Sequence, residues 1–467
     1  MTIQTKAKKS PKTIASLMVA LLVAIFAFQL NSSMLSPALV EMQNELNTTA
    51  VEVGNSQTVF FTACAVFSLF LPRLADLAGR RKVLCSMLCI TGLGCVVSAL
   101  APNISILMIG RVAQGVAGPI IPMCLIMLHE EVSDNKRYAK LMAILTSVNG
   151  GIAGVDALLG GWLSGNFGFR SVFVAMAIVA FVAVVLVWIF SNESTAEKTP
   201  KMDWLGAALL GIAFLIAYLA INEAQKLASA NWVLVGIMAI IAAIFFVAFY
   251  KTEKRKKDPM VSTEYLKHRR TWGLLLTTLL TMSGVFAIMN GVVPAIAQDS
   301  TLGVGMGADI VSFATLTPYA LLGLAFGPIA GILASKFGYH KVLRVGLIVS
   351  ILGVAFGIYV SNSPSIPSLL IISVILGISY AGTANIMLNG LGIVLSPKDN
   401  PGYLPGMNAG AFNLGAGLSF TILYSAMNAV TATSGASAGY AASMIAGIIL
   451  LALAFICSFL IPKIDSE

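Results

Sequence analysis

The sequence repeats itself at two places: residues 72–84 read PRLADLAGRRKVL, and residues 331–343 read GILASKFGYHKVL. The two stretches share Leu, Ala, Gly, Lys, Val and Leu at matching positions, and each lies between two long apolar runs. Self-similarity at a fixed offset is the signature of a repeated structural unit. The sequence therefore predicts two related halves.

The composition around these repeats excludes a water-soluble protein. Only 10% of the 467 residues are Asp, Glu, Lys or Arg, whereas soluble domains contain about 25%. Hydrophobic residues make up 58% of the chain, so most of its surface must face lipid. Soluble enzymes and DNA-binding proteins are disfavoured by these figures.

The apolar runs are long enough to cross a bilayer as helices. A membrane helix needs ~20 mostly apolar residues, and polar residues separate fourteen such runs. Runs this continuous are not typical of a membrane β-barrel, so we predict an all-α membrane protein. The predicted spans are 13–35, 53–74, 83–101, 104–128, 139–164, 170–190, 204–222, 231–250, 271–296, 309–334, 341–361, 366–395, 404–430 and 437–461.

The repeat divides these spans into two six-helix bundles with a two-helix insertion between them. We predict an N-terminal bundle over 13–190 and a C-terminal bundle over 271–461, flanking the insertion at 204–250. Two linkers and two tails on the cytoplasmic side complete the predicted organisation: 1–12, 191–203, 251–270 and 462–467.

Basic residues predict the orientation of the chain. An even number of spans puts both termini on one side, and nearly all of the 29 Lys and Arg residues fall there. Only Arg170 and Lys226 fall on the other side, and Arg111 lies within a span. Because cytoplasmic loops carry the excess of Lys and Arg, we predict a plasma-membrane protein with cytoplasmic termini. The net charge of +9 is then an orientation signal and does not indicate nucleic-acid binding.

Two motifs resemble signatures of the major facilitator superfamily. They are LADLAGRRK at 74–82 and RVAQGVAG at 111–118. With fourteen spans, the chain resembles the drug:proton antiporter branch of that superfamily. The resemblance implies the major facilitator fold and alternating access driven by a proton gradient. It also implies a cytoplasmic gate between the halves, formed by Asp76, Gly79 and Arg80.

Three positions depart from the branch's pattern. Pro72 replaces the glycine that opens the loop signature, and Asn31 stands where the first span usually carries an acid. In the fifth span, Asp156 and Ala157 interrupt the antiporter motif before the glycine pair. A cavity without that acid suits a neutral or anionic solute better than a lipophilic cation.

Two charges lie deep inside the predicted spans, away from the span ends: Arg111 and Asp156. A charge near the bilayer centre costs at least about 2.5 kcal/mol, so each is a candidate functional residue. At 1.5 Å per residue they lie ~9 Å and ~12 Å below the outer ends of neighbouring antiparallel spans. We therefore expect an ion pair, which either locks the two helices together or opens to exchange a proton or bind an anion.

Uncharged polar and aromatic residues in the spans are candidates for a substrate cavity. Such groups either bond to neighbouring helices or line a wet cavity, and both alternatives are open. The resemblance implies a cavity, because the spans that carry these residues are similar to the spans that line the central cavity in that family. The candidates are Asn31, Gln57, Phe60, Asn149, Asn290, Tyr319, Asn385, Asn389 and Asn408.

The sequence thus predicts a secondary active transporter of small organic molecules, not an enzyme. The family default is proton-coupled efflux of drugs or metabolites. The alternative is uptake or exchange of an amphipathic organic anion, such as a bile-salt-like or carboxylated solute, and a non-transporting membrane sensor is a minor alternative. We expect a monomer in the lipid bilayer with a small organic substrate, protons as the energy source, and no cofactor or metal.

Overall fold

The computed structural model describes residues 11–132, 134–195, 201–256, 259, 261–397 and 402–462, and within them the described residues form helices and no strand. The described residues contain fourteen long helices, which follow one another along the chain. They are α1 (Pro11–Ser33), α2 (Ala50–Ala78), α3 (Arg80–Ala99), α4 (Ile104–Glu131), α5 (Asn135–Phe167), α6 (Phe169–Phe190), α7 (Trp204–Ala224), α8 (Trp232–Arg255), α9 (Arg269–Gln298), α10 (Ala308–Phe337), α11 (Tyr339–Asn362), α12 (Ile366–Val394), α13 (Tyr403–Ser434) and α14 (Ala436–Cys457).

The lengths of these helices confirm the predicted all-α membrane fold. Among the described residues, 13 helices are long and apolar enough to cross a membrane. The remaining long helix, α5, has 33 residues, more than the ~20 that a bilayer requires. In such helices most backbone groups bond within their own helix, as the absence of water in the hydrocarbon demands.

Four short segments were not predicted from the sequence. A 3₁₀ turn at Ser36–Ala38 and a short helix at Leu39–Glu45 follow α1. Two π-helical segments, Ile288–Val292 and Gly377–Ala384, interrupt α9 and α12. A π-helical turn takes one residue more than an α-helical turn, and such turns are frequent at functional sites.

Similar glycine turns recur at equivalent places in the two predicted halves. Gly79 joins α2 to α3 with φ of 109°, and Gly338 joins α10 to α11 with φ of 85°. The turns after α5 and α13 match in the same way, since Gly168 and Gly435 have φ of 76° and 87°. Residues with a Cβ rarely adopt this region, which accounts for glycine at each turn.

The two extra helices, α7 and α8, lie at the periphery of the bundle. They pack on each other, with the rings of Phe214 and Phe246 in an edge-to-face contact at 5.2 Å between centroids. Hydrogen bonds at the distal end of α7 join it to the rest of the molecule: Asn55 donates to Asn222 at 2.9 Å, and Gln225, which follows α7, donates to the Thr421 carbonyl at 3.2 Å. Only 6% of the apolar stretch of α8 is buried inside the protein.

We name the two ends of the bundle by the chain termini. The terminus face carries the start of α1, the start of α9 and the end of α14, where the Arg269 side chain donates to the Leu460 carbonyl at 2.8 Å. The distal face is the opposite end, where α1, α5, α9 and α13 finish.

Candidate functional site

Arg111 is the centre of a buried polar network inside the first half. Its side chain is fully buried. One guanidinium nitrogen donates to the Gln114 side-chain oxygen at 2.6 Å, and the other donates to the Gln57 side-chain oxygen at 2.8 Å. The Asn31 carbonyl accepts longer bonds of 3.3 and 3.4 Å, and the guanidinium carbon lies 4.1 Å from the Phe60 ring centroid. The planar guanidinium thus joins α1, α2 and α4 through several donors at once.

This network contains three of the predicted cavity residues, Asn31, Gln57 and Phe60. All three are at most 3% exposed. The Asn31 amide donates to the Ala27 carbonyl at 2.7 Å and accepts from the Cys95 thiol at 3.3 Å. In this conformation the three side chains pack inside the first half, so their contribution to a cavity stays a prediction.

Asp156 lies in α5 and is bound by a different residue of α1. The Ser33 hydroxyl donates to one carboxylate oxygen at 2.5 Å. The other oxygen is buried and has no hydrogen-bond partner among the described residues. Asp156 itself is 3% exposed.

The expected ion pair between Arg111 and Asp156 is wrong for this structure. Neither charge contacts the other, because neutral groups bind both of them. The end of α1 contacts each charge with a different residue, Asn31 toward Arg111 and Ser33 toward Asp156. A role for Asp156 in coupling stays a prediction.

Asp156 also lies beside contacts that join the two halves. The Ser312 hydroxyl donates to the Ala157 carbonyl at 3.0 Å, and the Thr317 hydroxyl donates to the Gly154 carbonyl at 2.9 Å. Both donors belong to α10, in the second half. These carbonyls flank Asp156 in α5, so the residue lies next to a seam between the halves.

At the distal face, the backbone of α5 lies very close to the residue that follows α1 and to the start of α10. A Cβ added at Gly160 would lie 2.0 Å from the Met34 carbonyl oxygen, and one at Gly161 would lie 2.3 Å from the Ala308 carbonyl oxygen. Larger residues at these two positions would push α5 away from α1 and from α10. The glycine pair therefore permits a tight seal.

A second seam joins α1 and α2 to α9 and α13. The Ser36 hydroxyl donates to the Asn290 side-chain oxygen at 3.4 Å. Deeper in the bundle, the Thr58 hydroxyl donates to the Gly417 carbonyl at 2.9 Å and lies 2.9 Å from the Thr421 hydroxyl. These bonds join the halves from the distal face inward, so the structure has a closed distal face. Asn290 takes part in this closure.

Two cavity candidates of the second half lie between its helices. Asn408 is 1% exposed, and its side-chain oxygen accepts from the Thr278 hydroxyl at 2.7 Å. Its amide donates to the Leu388 carbonyl at 3.2 Å, which ties α9, α12 and α13 together. Tyr319 is half-buried, and its backbone carbonyl faces Gly377, where a Cβ would lie only 2.6 Å away.

The remaining cavity candidates lie in α12 and α5. Asn385 is half-buried and Asn389 is exposed, and the Asn389 amide donates to the Asn385 side-chain oxygen at 3.0 Å. Both residues lie in the half of α12 that is nearer the terminus face. The side chain of Asn149 lies outside the described part of the chain.

The predicted gate residues form an ionic network at the terminus face. Arg80 bonds Asp76 at 2.8 Å and Glu130 at 2.9 Å, and its backbone nitrogen donates to the Ser194 carbonyl at 3.0 Å. Asp76 and Glu130 belong to the first half, and Ser194 lies in the segment that follows it. The described contacts thus tie α2, α3, α4 and the segment after α6 together, and a gate between the halves stays a prediction.

Gly79 in this network provides a stability test. Its φ of 109° disfavours a side chain, and a Cβ would lie 2.6 Å from the Glu193 carboxylate, which accepts from the Arg81 nitrogen at 3.0 Å. We expect Gly79→Ala to lower the thermal midpoint of the purified protein by about 3 °C or more. The matched control is Gly303→Ala, where φ is 94° but nothing lies within 4 Å. Equal shifts in the two variants would show that Glu193 contributes nothing.

Several residues of these networks were not predicted. Gln114 follows Arg111 by three residues, a spacing that places both on one helix face, and this signal could have identified it. Glu130 lies at the terminus-face end of α4, near the predicted loop of Arg80. Ser312 and Thr317 had no distinguishing signal, because hydroxyl residues are common in membrane helices.

The fold and these sites define a membrane transporter. The sequence model of the Major Facilitator Superfamily matches residues 21–420, and the chain belongs to that superfamily. The resemblance drawn from the two motifs is thereby confirmed. The matching relatives are transporters, so the prediction that the chain is not an enzyme is also confirmed.

Among individual relatives, a uridine/deoxyuridine transporter of Lactococcus lactis subsp. cremoris (strain MG1363) is 59% identical over 466 residues. The match covers 99% of this chain and 97% of that protein. A multidrug resistance protein B homolog of Mycobacterium tuberculosis (strain ATCC 25618 / H37Rv) is 27% identical over 333 residues, covering 67% of this chain and 59% of that protein.

Solved structures agree on the fold. The nucleoside transporter NupG superimposes with a TM-score of 0.62 at 15% identity, covering 95% of this chain and 100% of that one. A POT family transporter in complex with a thioalcohol conjugated peptide gives a TM-score of 0.70 at 15% identity, covering 97% and 100%.

Proposed function

We propose that this chain transports pyrimidine nucleosides, with uridine and deoxyuridine as substrates, by alternating access. The observation that carries the proposal is the 59% identity to the uridine/deoxyuridine transporter, which extends over 99% of this chain and 97% of the relative. At that identity over the full length, the helices and the residues between them correspond almost position by position.

The groups between the two halves suit a neutral polar solute. The described bonds across the seams come from hydroxyls and amides, such as Thr58, Thr421 and Asn290. Asn31 takes the place of the first-span acid that the drug:proton branch usually carries. Nucleosides are uncharged and carry hydroxyl, imide and carbonyl groups, which amides and hydroxyls bind with specificity.

This proposal replaces the two substrate classes considered from the sequence. Drug efflux has weaker support, because the multidrug resistance relative is 27% identical and matches 59% of its own length. An organic anion requires an accessible cation in the pathway. Arg111 is fully buried and its guanidinium is occupied by Gln57 and Gln114, so it offers no such site in this conformation.

We further propose how the protein is organised in the membrane. It acts as a monomer in the cell membrane, with two six-helix halves that rock about the substrate. The distribution of basic residues supports a cytoplasmic terminus face, and the closed distal face is then the outer one. Asp156 lies beside the distal seam and is the proposed proton-binding residue.

Uptake of labelled uridine tests the proposal directly. The chain is expressed in a bacterial strain that lacks its own nucleoside uptake, and tritiated uridine is followed over the first minute. We expect uptake about 10-fold or more above vector-only cells, because a specific carrier outpaces passive entry of a polar solute. Excess deoxyuridine should abolish the signal, whereas a lipophilic cation and a bile salt should not. Uptake no faster than in vector-only cells, or export of the cation, would refute a nucleoside transporter.

A further inference from the structure

A polar cavity opens at the distal face, outside the closed seam. Its volume is about 390 Å³, within the range of small-molecule sites. Residues from both halves line it, with Gln43 and Asn44 from the first half and Gln298, Asp299, Tyr424 and Tyr440 from the second. Ser36 also lines it and bonds Asn290, so the closed seam forms its inner limit.

Asp299 is held in a fixed position at the edge of this cavity. One carboxylate oxygen accepts from the Thr301 nitrogen at 2.9 Å and from the Thr301 hydroxyl at 2.6 Å. The other accepts from the Tyr440 hydroxyl at 3.2 Å. A carboxylate oxygen has lone pairs for more than one donor, so Asp299 can accept a further hydroxyl from a solute in the cavity.

The opposite wall carries amide groups without partners in the protein. Gln43 is half-buried and Asn44 is exposed, and neither side chain bonds to another described residue. A primary amide presents a donor and an acceptor side by side. This arrangement matches the alternating carbonyl and N–H groups along the edge of a uracil base.

An aromatic ring lies at the inner side of the cavity. Tyr424 is 4% exposed, and its hydroxyl lies over Gly291, where a Cβ would be only 2.5 Å away. Gly291 lines the cavity together with Tyr424. The ring packs against Gly54 and Phe420, so it offers an edge rather than an open face to a base in the cavity.

We propose that this cavity is a vestibular binding site that holds one nucleoside at the distal face before the seam opens. The base contacts Gln43, Asn44 and Tyr424, and a sugar hydroxyl donates to Asp299. The inference rests on the proposed nucleoside transport and adds a second binding position outside the closed gate. A nucleoside bound here would be released into the pathway when the two halves separate.

Photolabelling with 5-iodouridine tests this site. Ultraviolet light splits the carbon–iodine bond into a base radical and an iodine atom; the base radical adds to a nearby aromatic ring, and the displaced ring hydrogen leaves with the iodine atom as HI. We expect label on peptides containing Tyr424 or Tyr440, located by mass spectrometry and removed by excess uridine. Gln43→Met should reduce that label about 5-fold or more, as expected for the loss of about 1 kcal/mol of hydrogen bonding. The matched control is Asn166→Leu, which removes an exposed amide at the same face but outside the cavity.

The outcomes separate this inference from the proposed function. If the protein transports uridine but the label that uridine removes lies only on other peptides, the vestibular site alone is overturned. The same holds if Gln43→Met leaves the label at the two tyrosines unchanged. Tyr440→Phe provides a second variant, since it removes only the hydroxyl that bonds Asp299 and should also reduce the label. A wild-type protein that transports no uridine would overturn both proposals.

Discussion

Replacing Arg111 by lysine should strongly reduce uridine transport. The guanidinium donates to Gln57, to Gln114 and to the Asn31 carbonyl from a fully buried position. A lysine ammonium is one point of charge and cannot reproduce this planar set of bonds. Each buried group left without a partner costs about 1–3 kcal/mol.

Two unpaired amides therefore correspond to a loss of about 2–6 kcal/mol, or a fall in transport of about 30-fold or more. The measurement is uridine uptake per amount of folded protein, with thermal unfolding followed in parallel. Arg111→Leu should additionally lower the yield of folded protein, because all of these partners lose their donor.

Arg170 offers a matched control for this substitution. One of its guanidinium nitrogens donates to the Ala99 and Ala101 carbonyls at 2.9 and 2.7 Å, near the distal face. A lysine ammonium can make both of those bonds from a single nitrogen. Arg170→Lys should therefore keep uptake within about 2-fold of wild type. If Arg111→Lys behaved like Arg170→Lys, the buried network would not be required for transport.

The fold was largely predictable because its rules are local. In lipid each helix must satisfy its own backbone, so a run of ~20 apolar residues predicts a helix without knowledge of its neighbours. The repeat at 72–84 and 331–343 then predicted that the spans form two related halves. The π-helical segments Ile288–Val292 and Gly377–Ala384 were not predictable, since the apolar pattern does not record one extra residue per turn.

Of the candidate site, only the charged residues could be predicted from the sequence. Arg111 and Asp156 stand out because charges are rare in membrane helices. Their partners were mispredicted, since the depth of a residue along a helix does not fix the direction in which its side chain points. Rotation about the axis directs Arg111 to two amides and Asp156 to Ser33, and packing with neighbouring helices sets that rotation.

Replacing Asp156 by asparagine should separate transport from its energy source. An asparagine keeps the size of the side chain and can still accept from Ser33, but it cannot bind and release a proton. Asp156 lies between the carbonyls of Gly154 and Ala157 that bond the second half. We expect uridine accumulation driven by an imposed acid gradient to fall about 10-fold or more in proteoliposomes, since a tenfold change corresponds to about 1.4 kcal/mol of lost coupling.

Exchange at equal pH distinguishes lost coupling from a damaged pathway. Asp156→Asn should retain counterflow of labelled against unlabelled uridine within about 3-fold, because exchange needs no net proton movement. Ser33→Ala is the matched control: it removes the donor at 2.5 Å but keeps the carboxyl group, so accumulation should still respond to the gradient. If Asp156→Asn still responded fully to the pH gradient, Asp156 would not be the coupling proton site, and the carboxylate would serve only to join α5 to α1.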